Sequence, residues 1–265
     1  MKYQLGFIGC GNMGGALVTA AAKTVAGQTI AVCDYDHSKA ENFAKQYGAN
    51  AVTGMEIAEN ADFVVLGVKP QVMGKTLAPL ASALRARENL TVVTMAAGVS
   101  IAAIRGYIGK DVPVIRIMPN TPVALGAGMI LYTTADVSAE TEQAFLQAFS
   151  QAGVFDKIPE DKIDAGSALS GCGPAFVYAF AEALADGGVE CGVPRDKAAL
   201  YAAQTLLGAA QMLLEFGHPA DLKDAVCSPG GTTIAGIHAL EAAGFRGAAM
   251  GAVTTAYKRT LELKK

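Results

Sequence analysis

The chain has 265 residues, 52% of them apolar and 17% charged, with a formal net charge of −3. That length suits two cores, and that apolar content excludes a disordered chain. The absence of a basic excess argues against nucleic acid as the main partner.

The N-terminus, MKYQLGFIGCG, reads straight into a strand, so no signal peptide is expected. No apolar run of about 18 residues is free of charges and turn signals, so no membrane span is expected either. Strands are predicted at Tyr3–Ile8, Thr29–Asp34, Ala61–Val68, Asn89–Ala97, Val112–Pro119, Gly128–Thr133 and Val154–Ile158. Helices fall between most of them, among them SKAENFAKQYG with Gly48 as its stop. Short apolar strands alternating with helices imply an α/β fold with a mostly parallel sheet covered on both faces.

After about Glu160 the strand signals vanish. Pro174–Gly188 is apolar nearly all round, with only Glu182 and Asp186 to offer water, which predicts a helix buried on every side. Asp196–Gly217 carries Leu200, Ala203, Leu206, Ala210 and Leu213 as a continuous seam. A tail of about 105 residues cannot cover that much apolar helix by itself, so an intertwined homodimer is expected. Five scattered cysteines, with no C-x-x-C pair, point to a reducing, cytoplasmic compartment. The three histidines have no ligand-like spacing to Cys, Asp or Glu, so no metal is expected.

Gly9-x-Gly11-x-x-Gly14 follows the first strand and opens a helix. Gly9 permits the turn, Gly11 admits a pyrophosphate, and Gly14 lets helix and strand approach. Asp34, at the end of the second strand, stands where an acidic residue would accept from a ribose 2′-hydroxyl, which favours NAD. His37, Ser38 and Lys39 leave two readings open: a nest for a 2′-phosphate, or a helix start with Ser38 as its cap. Gly67, Val68, Lys69 and Pro70 end the third strand, and Met95, Ala96 and Ala97 the fourth. Lys69 is read as a cofactor contact or as a solvated lysine. Asn120 is held between Thr121-Pro122 and Pro119, so its amide is either aimed at a ligand or an ordinary turn amide. In the helical half, Pro229-Gly230-Gly231-Thr232-Thr233 interrupts the helices just before another one starts. Two glycines, a helix start and two hydroxyls are what a small carboxylate needs.

The motifs FIGCGNMGGAL, GVKPQ, MAAGVSI, RIMPNTPV, ALSGCGPAFVY, EALADGGVECGVPR and LKDAVCSPGGTTIAGIHALEAAGFR resemble, in order, those of the pyrroline-5-carboxylate reductases. The resemblance implies an N-terminal Rossmann-type doubly wound domain over residues 1–160 and a C-terminal all-helical dimerisation and substrate-binding domain over 161–265. It implies reduction of 1-pyrroline-5-carboxylate to L-proline, the last step of proline biosynthesis, by NADPH, with NADH as the alternative. Dimers of this family often assemble further, into decamers. The cofactor would lie on Ile8, Gly9, Cys10, Gly11, Asn12 and Met13, near Asp34, and on Gly67–Pro70 and Met95–Ala97. The substrate carboxylate would lie on Gly230, Gly231, Thr232 and Thr233. Thr233 would serve the ring nitrogen, Val226 would wall the pocket, and Glu160 matches a nearby acidic position. Asp34 departs from residues compatible with a 2′-phosphate, and Cys172 replaces a commoner serine.

A protonated imine is already electrophilic, so the protein needs little acid–base equipment beyond orientation. The two halves would have to close on each other, with the turn supplied in cis or by the partner chain. A two-domain hydroxyacid dehydrogenase is the enzymatic rival. It needs a basic residue for a hydroxyl proton, and Pro174–Gly188 carries no Lys or His. A nucleotide-sensing protein is the non-enzymatic rival, but it has no need of the Gly230–Thr233 turn.

Overall fold

Successive side chains of a strand point to opposite faces, and here both faces are apolar. In β1 (Tyr3–Ile8), Leu5 and Phe7 enter one core and Ile8 the other, while Tyr3, at the start of the strand, joins the Ile8 cluster as well. The computed structural model describes residues 2–263. After β1 come α1 (Asn12–Ala21), β2 (Ile30–Cys33), α2 (His37–Tyr47), β3 (Asn50–Ala51), α3 (Gly54–Asn60) and β4 (Ala61–Leu66). The chain continues through α4 (Met73–Leu77), α5 (Ala81–Ala86), β5 (Thr91–Thr94), α6 (Ile101–Ile108) and β6 (Val114–Met118). Then follow β7 (Gly128–Ala135), α7 (Ala139–Ala148), β8 (Gly153–Lys157) and α8 (Glu160–Ser170).

The strands form one sheet in the order β3-β2-β1-β4-β5-β6-β7-β8. Every neighbouring pair is parallel except β6 and β7. One face is closed by α1 and α7, where the rings of Phe145 and Phe149 meet at a tilt, 5.0 Å between centroids, and Phe7 meets Phe149 edge-on. The other is closed by α3 to α6, through Ile57, Met73, Leu77, Leu84, Ile104 and Ile108. The order reverses about β1, so the carboxyl ends of β1 and β4 flank the crevice where doubly wound sheets bind ligands. Strand β3 was not predicted; two residues are too few to show a period of two.

The chain divides into two compact units, one running to Cys172 and resuming at Ala256, the other Gly173–Thr255. The expected boundary at 160/161 therefore falls at the start of α8, and the physical reason is local. Ile163 of α8 is buried against Met118 and Leu131 of the sheet. The second unit contains α9 (Gly173–Glu190), α10 (Arg195–Phe216), α11 (Pro219–Ala225), α12 (Thr232–Ala242) and most of α13 (Phe245–Glu262).

The all-round burial expected of α9 is not supplied by its own chain: only Ala185 is buried along it. On α10 only Ala198 and Ala202 are buried, and on α12 and α13 no residue is. Among the described residues, Glu160–Glu190 is the one helical stretch long and apolar enough to cross a membrane by length and composition.

Candidate active site

The turn after β1 is tied to both neighbouring strands. Gly9 N–H donates to the Cys33 carbonyl at 2.8 Å, and Gly67 N–H donates to the Ile8 carbonyl at 2.8 Å. Gly9 has φ +100°, a conformation that glycine alone adopts without strain. A Cβ at Gly14 or at Gly67 would collide with the Gly9 carbonyl oxygen, so the three glycines interlock. Gly11 is the opposite case. A Cβ there would meet nothing within 4 Å, so this edge of the turn is open to a ligand. Gly11 is also the N-cap of α1, and no side chain caps that helix start. An uncapped, positively polarised helix start beside an open glycine fits a dinucleotide pyrophosphate.

Asp34 braces this turn. Its Oδ2 accepts from the Cys10 N–H at 2.6 Å and its Oδ1 from the Asp36 N–H at 2.9 Å. The Cys10 side chain faces inward, its Sγ donating to the Cys33 carbonyl at 3.6 Å. Burial, aided by the Asp34 charge, pushes its thiol up to about 12. The cap of α2 is Asp36, not Ser38: Asp36 Oδ1 accepts from both the N–H and the hydroxyl of Ser38, at 3.2 and 2.6 Å.

A cleft of about 770 Å³ brings together Ile8, Gly9, Gly11, Asp34, Gly67, Val68 and Lys69 of the expected cofactor residues. Cys10, Asn12, Met13, Pro70, Met95, Ala96 and Ala97 do not line it. Ala96 is buried and Met95 is half-buried against the core. The sequence reading missed Gly54 and Met55 at the start of α3, which do line the cleft. Their signal was Thr53, whose hydroxyl caps that helix by accepting from the Glu56 N–H at 3.1 Å.

Two expected substrate residues have internal partners. Asn120 is buried; its Nδ2 donates to the Ser170 carbonyl at 3.0 Å and its Oδ1 accepts from the Met129 N–H at 2.9 Å. Its amide therefore links β7 to the end of α8 rather than being aimed outward. Glu160 Oε1 accepts from the Ile101 N–H at 2.8 Å and from Arg116 at 3.3 Å. Arg116, sealed beneath the sheet end, also donates to Asp164 at 2.8 Å. Sequence reasoning missed this cluster. A lone arginine inside the apolar run VPVIRIMP was its signal, since a buried guanidinium requires carboxylates.

The remaining expected residues gather on the connection from α11 to α12. Val226 ends α11 and is exposed. Ser228-Pro229-Gly230-Gly231 forms a turn in which Gly231 N–H donates to the Ser228 carbonyl at 3.0 Å and Gly230 has φ +67°. Pro before a positive-φ Gly is the type II pattern. Gly231 is the N-cap of α12 and no side chain caps it. The start of an eleven-residue helix is thus presented together with the exposed Thr232 and Thr233.

Among the described residues no three His, Cys, Asp or Glu gather as metal ligands. The arrangement offers a dinucleotide cleft in one unit and a main-chain anion cradle in the other. Over 271 residues, and over the full length of both chains, the sequence is 40% identical to the pyrroline-5-carboxylate reductase of Escherichia coli (strain K12). The chain belongs to the pyrroline-5-carboxylate reductase family. Within this reductase, residues 160–263 match the family model for pyrroline-5-carboxylate reductase dimerisation. Residues 4–98 match the model for coenzyme F420-dependent NADP oxidoreductases. Its fold is similar to that of the Coxiella burnetii pyrroline-5-carboxylate reductase, with a TM-score of 0.90 and 32% identity over all of both chains. It is also similar to the Plasmodium falciparum pyrroline carboxylate reductase, a crystal structure with NADP bound. There the TM-score is 0.89 with 29% identity, over 99% of this reductase and 98% of the other chain.

Proposed function

We propose that this oxidoreductase reduces 1-pyrroline-5-carboxylate to L-proline, with its carboxylate held by Gly230–Thr233. The observation that carries this reading is the turn itself: a type II Pro-Gly turn feeding an α12 start that has no side-chain cap. The main-chain N–H groups of such a start, with the Thr232 and Thr233 hydroxyls, bind a carboxylate without an arginine. Thr233 holds the ring nitrogen and orients the C=N bond. Val226 supplies an apolar wall to the ring. Asn120 and Glu160 act at one remove, by fixing α8 and the start of α6.

The cleft at Gly9, Gly11, Asp34 and Gly67–Lys69 fits a nicotinamide dinucleotide, the open face of Gly11 admitting its pyrophosphate. When bound, the reduced nicotinamide supplies the hydride for the imine carbon, and a proton on nitrogen completes the amine. The donor is NADPH or NADH: the family resemblance leans to the first, Asp34 to the second. The exposed apolar side chains of the second unit, Leu214, Phe216 and Met250 among them, support a homodimer whose faces they form. Further assembly of dimers into a decamer is part of this reading, as is a cytoplasmic location, which suits five free cysteines.

The test is an assay of purified protein with 1-pyrroline-5-carboxylate and NADPH or NADH in turn, following loss of the reduced nicotinamide. Turnover with neither donor would refute the reading.

A further inference from the structure

The 2′-position of the adenosine ribose is where NADH and NADPH differ. We infer that this reductase selects NADH over NADPH, and that Asp34 and Asp36 make the choice by refusing a 2′-phosphate. The inference rests on the dinucleotide cleft proposed above.

Asp34 lines that cleft at the carboxyl end of β2, beside Gly9 and Gly11. Its carboxylate cannot swing aside, because the Cys10 and Asp36 N–H groups hold one oxygen each. A carboxylate has about four lone-pair sites, so acceptors remain for a vicinal diol after those two bonds. A dianionic phosphate brought to the same place meets a fixed like charge.

The start of α2 offers no compensation. Its natural phosphate donors are the N–H and hydroxyl of Ser38, and Asp36 has already taken both. Those bonds hold the Asp36 carboxyl below its usual range, so it stays ionised and adds a second negative charge. Lys39, the cation nearest on that helix, lies 4.0 Å from the same Asp36 carboxylate and is partly neutralised by it. No arginine lines the cleft, although planar, bidentate guanidinium contacts are the common device for holding a phosphate. His37 and Lys69 do line it. Lys69 sits at the end of β4, on the other side of the glycine turn from β2. His37, at the start of α2, lies near the ionised Asp36.

The experiment is calorimetric titration of the full-length protein with 5′-AMP, adenosine 2′,5′-bisphosphate, NAD⁺ and NADP⁺, alongside kcat/KM for NADH and NADPH. The fragment and dinucleotide lacking the 2′-phosphate should bind at least about tenfold more tightly than their counterparts. Asp36→Ala releases the Ser38 donors while leaving the Asp34 side chain in place. It should improve NADP⁺ binding by about tenfold and leave NAD⁺ binding within about twofold. Asp34→Ser should weaken NAD⁺ binding and narrow the ratio between the two dinucleotides. Equal or tighter binding of the 2′-phosphorylated ligands by the unaltered protein overturns the inference, as does binding of neither. Turnover of 1-pyrroline-5-carboxylate with NADPH preferred would leave the activity standing and sink this inference. NAD⁺ preference without turnover would do the reverse.

Discussion

Arg116 and Asp164 meet at 2.8 Å with both side chains almost wholly removed from solvent. A charge pair in that setting is costly to bury and more costly to break. Arg116→Ala removes the buried guanidinium from its pair with Asp164 and takes away half of the Glu160 tether, and should lower unfolding free energy by about 3–5 kcal/mol. Urea denaturation checks this. The double change Arg116→Met with Asp164→Leu should recover much of the loss, because it removes both charges and also the Arg116 Nε, which has no hydrogen-bond partner.

Thr233→Ala should reduce kcat/KM for 1-pyrroline-5-carboxylate by about 10- to 100-fold, the value of one hydrogen bond to a charged group. Dinucleotide affinity, measured by quenching or calorimetry, should stay unchanged. Loss of cofactor binding with normal turnover of the bound complex would remove Thr233 from the substrate site.

Gly14→Ala introduces a methyl group onto the Gly9 carbonyl oxygen. Forcing α1 away from the turn should cost about 1–3 kcal/mol and weaken dinucleotide binding in parallel. Gly11→Ala meets no protein atom within 4 Å, so it should leave melting temperature nearly unchanged and affect only ligand binding. Thermal melts with and without NAD⁺ separate the two outcomes.

The Cys10 thiol ionises near 9.0 when unfolded and is pushed up to about 12 by burial in the fold. A raised folded value means stability that is complete below pH 9 and falls as pH climbs from there toward 12. Unfolding free energy should therefore decline over that window, and less steeply in Cys10→Ala. Alkylation of the native protein at neutral pH should spare Cys10, as mass spectrometry of digested peptides would read.

Met250 on α13 is 70% exposed within one chain. With that face against a second copy, Met250→Glu should lower the mass seen by light scattering at micromolar concentration to that of a smaller assembly.

The sheet was legible because its central strands are apolar on both faces, and seven of the eight strands could be read directly. The glycine turn was legible because its three glycines answer to distinct steric demands. Partners of polar side chains were harder to read. Asn120 was open to two readings, a ligand contact or a turn amide, because its acceptor at Ser170 and donor at Met129 lie 50 and 9 residues away. Glu160 was placed near the substrate by the family resemblance alone; the cation it accepts from, Arg116, lies 44 residues away in sequence. Ser38 looked like a cap because serine and aspartate compete for that role, and the preceding aspartate won. The apolar excess of α9 and α10 was legible as excess, and only Ala185, Ala198 and Ala202 of the two helices are buried within the chain.

The interlock of Gly9, Gly14 and Gly67 has a corollary for redesign. A side chain at the second or third position strikes the main chain of the first, so none of the three can drift while the others stay. The three therefore behave as one steric unit, and a change of electron donor has to be engineered elsewhere. The end of β2, where two aspartates and a serine divide the hydrogen bonds among themselves, is where such a change has room to act.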